Sequence, residues 1–411
     1  MNILLVTNNL YATGGDWTYV KQVFDLYKTH GHKVFLFGLR MEQNLDKTYQ
    51  DFYVPTIDLS YAKKHPFKSG LKVLSTTLYS KSAARNIARF IKDFSIDIVQ
   101  INSIHLGVTA SIIRVINRLN IPIVYRIIDY SQVCPNIHMI RDGKICKECL
   151  GNRFYKCFIH NCKKSRLTSL FVALNGYFYT LRGDYNLIDM YSFQNDFMRR
   201  LFIQYGYKED RAVTICNPYD STKVSPSFRL GNSVLFIARL EPEKGIRTFL
   251  KAAKLNPEIS HIVVGKGSIE DEVKSIIEEL DNVEFKGSVW GTSLDNIIKE
   301  CRFVVCPSEW EEPSSYVAFQ SFSCGKPVIA SQRGGLPEVV EDNINGMLFK
   351  PGDVEDLASK IKLLYNDEAK LKQFSTNARL TVESKFSPET YYNTTIELFT
   401  KLIENKNKKR L

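Results

Sequence analysis

The sequence predicts an α/β protein built from two doubly wound domains. Short apolar runs typical of buried parallel strands, such as Asn2–Thr7 and Ser233–Ala238, alternate with stretches of helical apolar spacing. The 411 residues suffice for two domains with a core each, and a polar linker at 221–231 separates them. Repeated strand–helix alternation favours parallel sheets that bind ligands at the carboxyl ends of their strands.

The first strand leads into a pair of glycines, Gly14 and Gly15, before helical spacing begins at Trp17. Glycines in this place let the backbone approach a phosphate closely, although a Gly-Gly pair alone is usually only a turn. Further strands of this domain are predicted at Lys33–Phe37, Asp97–Ile101, Ile121–Ile128, Ser169–Leu174 and Met190–Gln194. His105 and Asp129 follow two of these strands, where a single His is more often structural than catalytic.

Two cations follow the first strand of the second domain. Arg239 and Lys244 lie five positions apart, and Gly245 and a helical pattern come next. Such an arrangement offers two positive charges to a diphosphate. The alternative is that both residues are ordinary cations of the protein surface.

The apolar run Phe303–Cys306 and the stretch from Pro307 to Gly335 that follows it predict a strand, an acidic loop, a helix and a second strand, Val328–Ala330. The helix, Tyr316–Cys324, follows Ser314 and Ser315, so its free N–H groups form an anion site. Glu312 places a carboxylate beside that site. A ligand with both phosphates and hydroxyls, such as a nucleotide sugar, suits this combination.

This stretch resembles the donor-binding signature of the retaining GT-B glycosyltransferases of family 4: Glu-Pro-Phe-Gly, apolar residues, a second Glu, then Ala-x-x-Cys-Gly-x-Pro-Val. The run Arg239–Gly245 and the Gly-Gly-x-x-Glu of 334–338 also match family motifs, and the resemblance covers nearly the whole chain. The sequence departs from the family's motifs at three places. Ser314-Ser315 replaces Phe-Gly, Gln320 replaces the second Glu, and Ile128 replaces a His before Asp129.

The resemblance implies the GT-B fold, in which two Rossmann-like doubly wound domains face each other across a cleft. It implies an acceptor-side domain at 1–220 with a cysteine-rich insertion at 134–166. A nucleotide-sugar domain follows at 232–386, and a helix at 387–411 crosses back and ends in a basic tail. The chain is then a nucleotide-sugar-dependent glycosyltransferase that retains configuration by front-face attack. The donor would be UDP- or GDP-linked, and the acceptor a lipid-linked saccharide of cell-surface polysaccharide biosynthesis.

The family's motifs also assign roles to residues. Arg239 and Lys244 would neutralise the departing diphosphate without a metal ion, and Glu312 would hold sugar hydroxyls. The family's second Glu holds ribose hydroxyls, a place that Gln320 takes here. The expected donor-binding residues are Gly14, Gly15, Asp129, Val289, Ser314, Ser315, Tyr316 and Gln320. The departures at Ile128 and Gln320 motivate an alternative, a catalytically inactive sugar-nucleotide-binding partner of a polysaccharide assembly complex.

Positive charge is concentrated in the N-terminal half. Residues 1–205 hold 27 Lys and Arg against 14 Asp and Glu, whereas residues 206–411 hold 28 against 30. We expect the N-terminal half, with Lys63, Lys64, Lys68 and Lys72, to contact an anionic membrane surface. No motif supports nucleic acid as a partner. The chain has no apolar run of 18 residues and its start does not resemble a signal peptide, which predicts a cytosolic, at most peripheral protein.

Five of the nine cysteines lie within residues 134–162. Cys146, Cys149, Cys157 and Cys162 have spacings that suit a structural zinc ion with four ligands. Reduced thiols without a ligand and disulfides are the alternatives, although disulfides are rare in the cytosol. No cofactor is expected to take part in catalysis.

Overall fold

The computed structural model describes residues 1–11, 15–56, 78–104 and 107–408. These residues form two six-stranded sheets in which every pair of neighbouring strands is parallel. The predicted fold class of two doubly wound domains is confirmed.

The N-terminal sheet has its first strand, Asn2–Thr7, near one edge. In spatial order the sheet runs Ala212–Thr214, Met190–Phe193, Ile123–Ile127, Ile98–Ser103, Asn2–Thr7 and Lys33–Phe37. Side chains of the first strand alternate between two apolar clusters, with Leu4 and Val6 on one face and Ile3 and Leu5 on the other. Both faces are therefore covered, as a parallel sheet requires.

The C-terminal sheet reverses its strand order between Ser233–Ile237 and Phe303–Cys306. Its spatial order is Val283–Gly287, Ser260–Val264, Ser233–Ile237, Phe303–Cys306, Val328–Ser331 and Gly346–Phe349. Val234 and Phe236 face one apolar cluster, and Leu235 faces the other. A ligand crevice opens where the order of a doubly wound sheet reverses, outside the carboxyl ends of the two strands.

Helices cover both sheets. In the N-terminal domain they are Gly15–Thr29, Lys81–Asp93, Ser111–Arg118, Tyr155–Ile159, Arg166–Arg182 and Asp196–Gln204. In the C-terminal domain they are Ile246–Leu255, Glu270–Ile277, Gly291–Glu300, Tyr316–Ser323, Leu336–Val339, Val354–Asn366 and Glu368–Lys385. Among the helices described, none combines the length and the apolar character that crossing a bilayer requires.

The last helix, Pro388–Lys408, lies against the N-terminal domain. Phe399 is fully buried in the same apolar cluster as the first strand. The hydroxyl of Tyr391 is 2.6 Å from that of Tyr19, and Lys406 forms an ion pair of 3.0 Å with Asp189. The chain thus returns to its first domain after completing the second.

One predicted element is wrong. Ser169–Leu174 belongs to the helix Arg166–Arg182 and is not a strand. Ser165 caps this helix by accepting the N–H of Thr168 at 3.4 Å, and Gly183 ends it with a φ of +65°. A short apolar run does not by itself distinguish a strand from a helix, and the capping residues on either side decide the outcome.

The buried ring of Phe399 generates a test of the returning helix. Phe399→Ala is expected to lower the free energy of unfolding of the N-terminal domain by about 3 to 5 kcal/mol, because it leaves a cavity in that domain's core. Urea unfolding followed by circular dichroism measures the loss. Thr400→Ala, an exposed change in the same helix, is the control. Equal stability of the two variants would contradict this packing.

Candidate functional site

A cavity of about 840 Å³ lies between the two domains. Its lining includes four residues that each directly follow a strand, namely Ile128, Gln194, Ala238 and Pro307. The cavity therefore sits at the carboxyl ends of both sheets. The predicted site residues that line it are Gly15, Arg239, Lys244, Glu312, Ser314, Ser315, Tyr316 and Gln320.

Lys244 and Glu312 form the central contact of the cavity wall. The Nζ atom of Lys244 is 2.6 Å from Oε2 of Glu312, and both side chains are largely buried. Ser308 donates a second hydrogen bond to the same carboxylate oxygen at 3.2 Å. The Lys244 ammonium also lies 5.0 Å from the ring centre of Trp310, within the range of a cation–π contact.

Two glycines allow close packing around this pair, Gly245 between the loops of Lys244 and Glu312, and Gly334 between the loop of Glu312 and the one that follows Val328–Ser331. Gly245 has a φ of +75°, and a Cβ atom there would lie 1.9 Å from the carbonyl oxygen of Pro307. Gly334 has a φ of +59°, and its Cβ would lie 2.4 Å from the backbone nitrogen of Glu312. Any other residue type would force these loops apart.

The acidic loop 309–312 is held by both domains. The Trp310 indole donates to the carbonyl of His138 at 2.6 Å, and the Tyr130 hydroxyl donates to the carbonyl of Glu311 at 2.7 Å. From the C-terminal side, Thr248 donates to the carboxylate of Glu309 at 2.6 Å. The loop geometry at the cavity therefore depends on the domains being in contact.

The helix Tyr316–Ser323 begins at the cavity. The hydroxyl of Ser315 accepts the N–H of Ala318 at 3.3 Å. Within the described residues, the N–H groups of Tyr316 and Val317 have no protein acceptor. They give the cavity donors for an anion, supported by the positive end of the helix. The Tyr316 hydroxyl is buried without a partner, and burial raises its pKa.

Two arginines add positive charge around the cavity. Arg239 is an exposed lining residue, and no acidic side chain of the described residues pairs with it. Arg126 is buried behind the wall and donates to the carbonyl of Ile215 and the amide oxygen of Asn217, both at 2.6 Å. These acceptors carry no charge, so the guanidinium remains an uncompensated cation among the described residues.

Gln320 is held by a carboxylate. Its Nε2 group donates to Oδ1 of Asp295 at 2.7 Å, which orients the amide. The amide oxygen remains able to accept a hydrogen bond from a ligand hydroxyl. The carboxylate of a glutamate at this position would lie beside that of Asp295, and the two negative charges would repel each other.

Some predicted residues lie elsewhere. Asp129 is outside the cavity lining, and its carboxylate accepts the N–H of Ser131 at 2.8 Å in a local turn. Val289 packs against an apolar cluster while its neighbour Trp290 lines the cavity. The remaining predicted positions lie outside the described residues, namely Gly14, His105, Lys63, Lys64, Lys68, Lys72 and residues 409–411.

Several residues that line the cavity or support its wall were not predicted from the sequence. Arg126 interrupts an apolar strand run, which is a signal of a buried functional cation. Trp290 is 75% exposed at the cavity rim, and its indole donates to Ser288 at 2.8 Å. Gln194 accepts from Asn217 at 2.7 Å and helps to fix the N-terminal wall. No local pattern distinguishes Gln194 from other polar residues at strand ends.

The cysteine segment contains paired thiols. Cys134 lies beside Cys149, and Cys157 lies beside Cys162. The Cys149 thiol lowers the pKa of Cys134, with help from nearby backbone N–H groups. All the cysteines are free, and in the described part of the chain no three His, Cys, Asp or Glu side chains are arranged to hold a metal ion. Zinc at Cys146, Cys149, Cys157 and Cys162 stays a prediction for elemental analysis.

Comparison with known proteins finds similarity mainly in the C-terminal domain. Residues 222–381 match the family model of the glycosyl transferases group 1. The chain is 26% identical over 209 residues to the poly(ribitol-phosphate) alpha-N-acetylglucosaminyltransferase of Staphylococcus aureus, covering 49% of this chain and 42% of that protein. It is 26% identical over 180 residues to O-antigen chain mannosyltransferase C of Escherichia coli, covering 43% and 48%. The chain spans less than half the length of the first curated relatives it matches.

A solved structure matches the whole chain. The crystal structure of Anabaena HepE in complex with UDP aligns with a TM-score of 0.68 over 98% of this chain and 100% of that one, at 19% identity. This similarity confirms the GT-B fold.

The contact between Gln320 and Asp295 yields a test. Gln320→Glu is expected to weaken the binding of UDP by about fivefold, the scale of one lost hydrogen bond, because it sets two carboxylates side by side. Adding Asp295→Asn should restore binding, since the amide can donate to the new carboxylate. Isothermal titration measures both variants. Binding by Gln320→Glu as tight as wild type would contradict the proposed orientation.

Proposed function

We propose that the protein transfers a sugar from a nucleotide-sugar donor to a saccharide acceptor with retention of configuration. The observation that supports this most strongly is the cavity itself. Arg239, Lys244 and the N-terminus of the helix Tyr316–Ser323 surround a space that also contains the carboxylate of Glu312. Cations and N–H donors suit a diphosphate, and a carboxylate suits sugar hydroxyls.

The chemical difficulty is the departure of the diphosphate. When the bond between the sugar C1 and the β-phosphate oxygen breaks, the electron pair leaves with the phosphate. Arg239 and Lys244 stabilise the charge that develops there, a task that a metal ion performs in other enzymes. Glu312 pairs with Lys244 at 2.6 Å and neutralises its charge. A bound donor offers both groups a partner, phosphate for the ammonium and hydroxyls for the carboxylate.

Two further residues suit the nucleoside. The amide oxygen of Gln320 accepts a ribose hydroxyl, in the place where family members carry a glutamate. The exposed ring of Trp290 offers a flat apolar surface at the cavity rim on which a base can stack. The nucleotide would thus lie along the C-terminal domain, with its phosphates towards Arg239.

The acceptor hydroxyl attacks C1 from the same face that the diphosphate leaves. Its proton passes to a departing phosphate oxygen, so that no enzyme carboxylate is needed as a nucleophile. Glu312 is unsuited to that role because Lys244 and Ser308 both bind it.

Similarity to known proteins supports the substrate classes. HepE was crystallised with UDP, which favours a UDP-linked donor over a GDP-linked one. The relatives from S. aureus and E. coli are named for transfer to cell-surface polymers. We therefore propose a saccharide acceptor of a cell-surface polysaccharide, lipid-linked and used at the cytosolic face of the membrane.

The role of the cations is open to direct test. Arg239→Ala and Lys244→Ala are each expected to reduce turnover by about two to three orders of magnitude, the scale of one lost transition-state stabiliser. Lys254→Ala, an exposed cation of the same domain outside the cavity lining, is the matched control. Turnover of either cavity variant within a few-fold of wild type would remove that residue from the mechanism. Absence of any turnover in the wild type with a panel of nucleotide sugars would favour the inactive binding partner.

Divalent metal ions are expected to be dispensable, because the two cations take their place. Transfer measured with excess EDTA should equal transfer with added Mg²⁺ or Mn²⁺. Loss of activity on chelation that Mg²⁺ or Mn²⁺ reverses would contradict the mechanism. Loss that only Zn²⁺ reverses would instead point to a metal in the cysteine segment.

A further inference from the structure

The helix Arg166–Arg182 exposes an unusual set of leucines. Leu167 and Leu181 are 81% and 85% exposed, and Leu174 and Leu170 are 47% and 38% exposed. We call these four residues the leucine face. Contiguous exposed apolar surface marks an interaction site more often than scattered exposed residues do.

The four leucines lie on one side of the helix. At 3.6 residues per turn their positions fall within an arc of about 60°. The opposite side holds Ser169, Ala173 and Tyr179, all buried against the domain. The helix is therefore anchored by one side and presents apolar side chains to the solvent on the other. The preceding helix adds two exposed apolar residues, Phe158 and Ile159.

Basic residues adjoin the leucine face. Residues 141–166 hold eight Lys and Arg against two acidic residues. Lys164 and Arg166, at the start of the helix, are exposed, and no acidic side chain of the described residues pairs with either. The helix ends at a further cation, Arg182, which Asp184 holds at 2.8 Å.

We propose that the leucine face inserts into the headgroup region of an anionic membrane. Exposed leucines with unpaired cations at their edge are the combination that holds interfacial helices on anionic lipid. The cations attract the surface and the leucines supply apolar burial, so binding depends on salt only in part. A protein partner would need acidic groups to match these cations, whereas an anionic bilayer supplies them throughout its surface.

The cysteine-rich segment 134–166 contacts the acidic loop 309–312. The carbonyl of His138 accepts the Trp310 indole at 2.6 Å, and Lys147 lies 4.0 Å from Glu311. The helix that carries the leucine face packs against Tyr155–Ile159 of the same segment. A membrane bound at the leucine face would therefore lie against the N-terminal domain, to which it would bring a lipid-linked acceptor, a step that rests on the proposed function. Vesicle binding is measured without donor or acceptor, so its outcome does not depend on whether the protein transfers a sugar.

Co-sedimentation of the full chain with phosphatidylglycerol–phosphatidylcholine vesicles tests the proposal. Leu167→Ser/Leu174→Ser/Leu181→Ser is expected to weaken partitioning by about tenfold, because three apolar side chains are lost from the interface. The matched control is Leu255→Ser/Leu363→Ser/Leu380→Ser, three exposed leucines that lie on three different helices of the C-terminal domain. The control should sediment as wild type does, and thermal melting verifies that both triple variants are folded.

A second variant locates the contact even where the triple variant is unstable. Leu174→Trp should show quenching by brominated lipids beyond that of the wild type, whose tryptophans are Trp17, Trp290 and Trp310. Failure of the wild type to sediment with anionic vesicles at low salt would overturn the proposal. Equal sedimentation of both triple variants would also overturn it, as would a dimer in solution that only the leucine-face variant dissociates.

Discussion

The cleft depends on one charged contact, the ion pair between Lys244 and Glu312. Both side chains are taken largely out of water, and each would be costly to bury without the other. The pair forms because the two loops that follow neighbouring strands of the C-terminal sheet are brought to van der Waals distance. Gly245 makes that approach sterically allowed, and Gly334 lets a third loop pack against Glu312. The same geometry places a cation and a carboxylate side by side in the cavity wall.

The two domains complete the site together. Glu338 of the C-terminal domain accepts the N–H groups of Asp196 and Phe197, at 2.7 and 2.5 Å, and so caps a helix of the N-terminal domain. Asn195 donates to the carbonyl of Pro313 in the same contact region. Together with the returning helix Pro388–Lys408, these contacts join the C-terminal domain to the N-terminal domain. A change in domain spacing would therefore alter the acidic loop directly.

Structural features that depend on residues close together in the chain could be predicted from the sequence. Strands such as Asn2–Thr7 and Lys33–Phe37 were predicted at their observed limits, because apolar runs between turn residues are local signals. The motif cations and Glu312 were found through the family resemblance, and they do line one cavity. The domain limits and the roles of the site residues remain predictions.

Features that depend on distant residues could not be predicted. The partners of Arg126 are scattered from 192 to 217, and that of Gln320 lies 25 positions away. The run Ser169–Leu174 suits a strand or a helix equally, and the fold decides which side of it is buried. For that reason the leucine face could be recognised only in the structure. The excess of basic residues in the sequence predicted a membrane contact at Lys63–Lys72 instead, which lies outside the described residues.

A crystal structure of the protein with UDP bound tests the proposed role of this cavity most directly. We expect a diphosphate in contact with Arg239, Lys244 and the N–H groups at Tyr316 and Val317, with the ribose beside Gln320. A diphosphate held away from Lys244 and from that helix N-terminus, or a nucleotide outside the cleft, would contradict it.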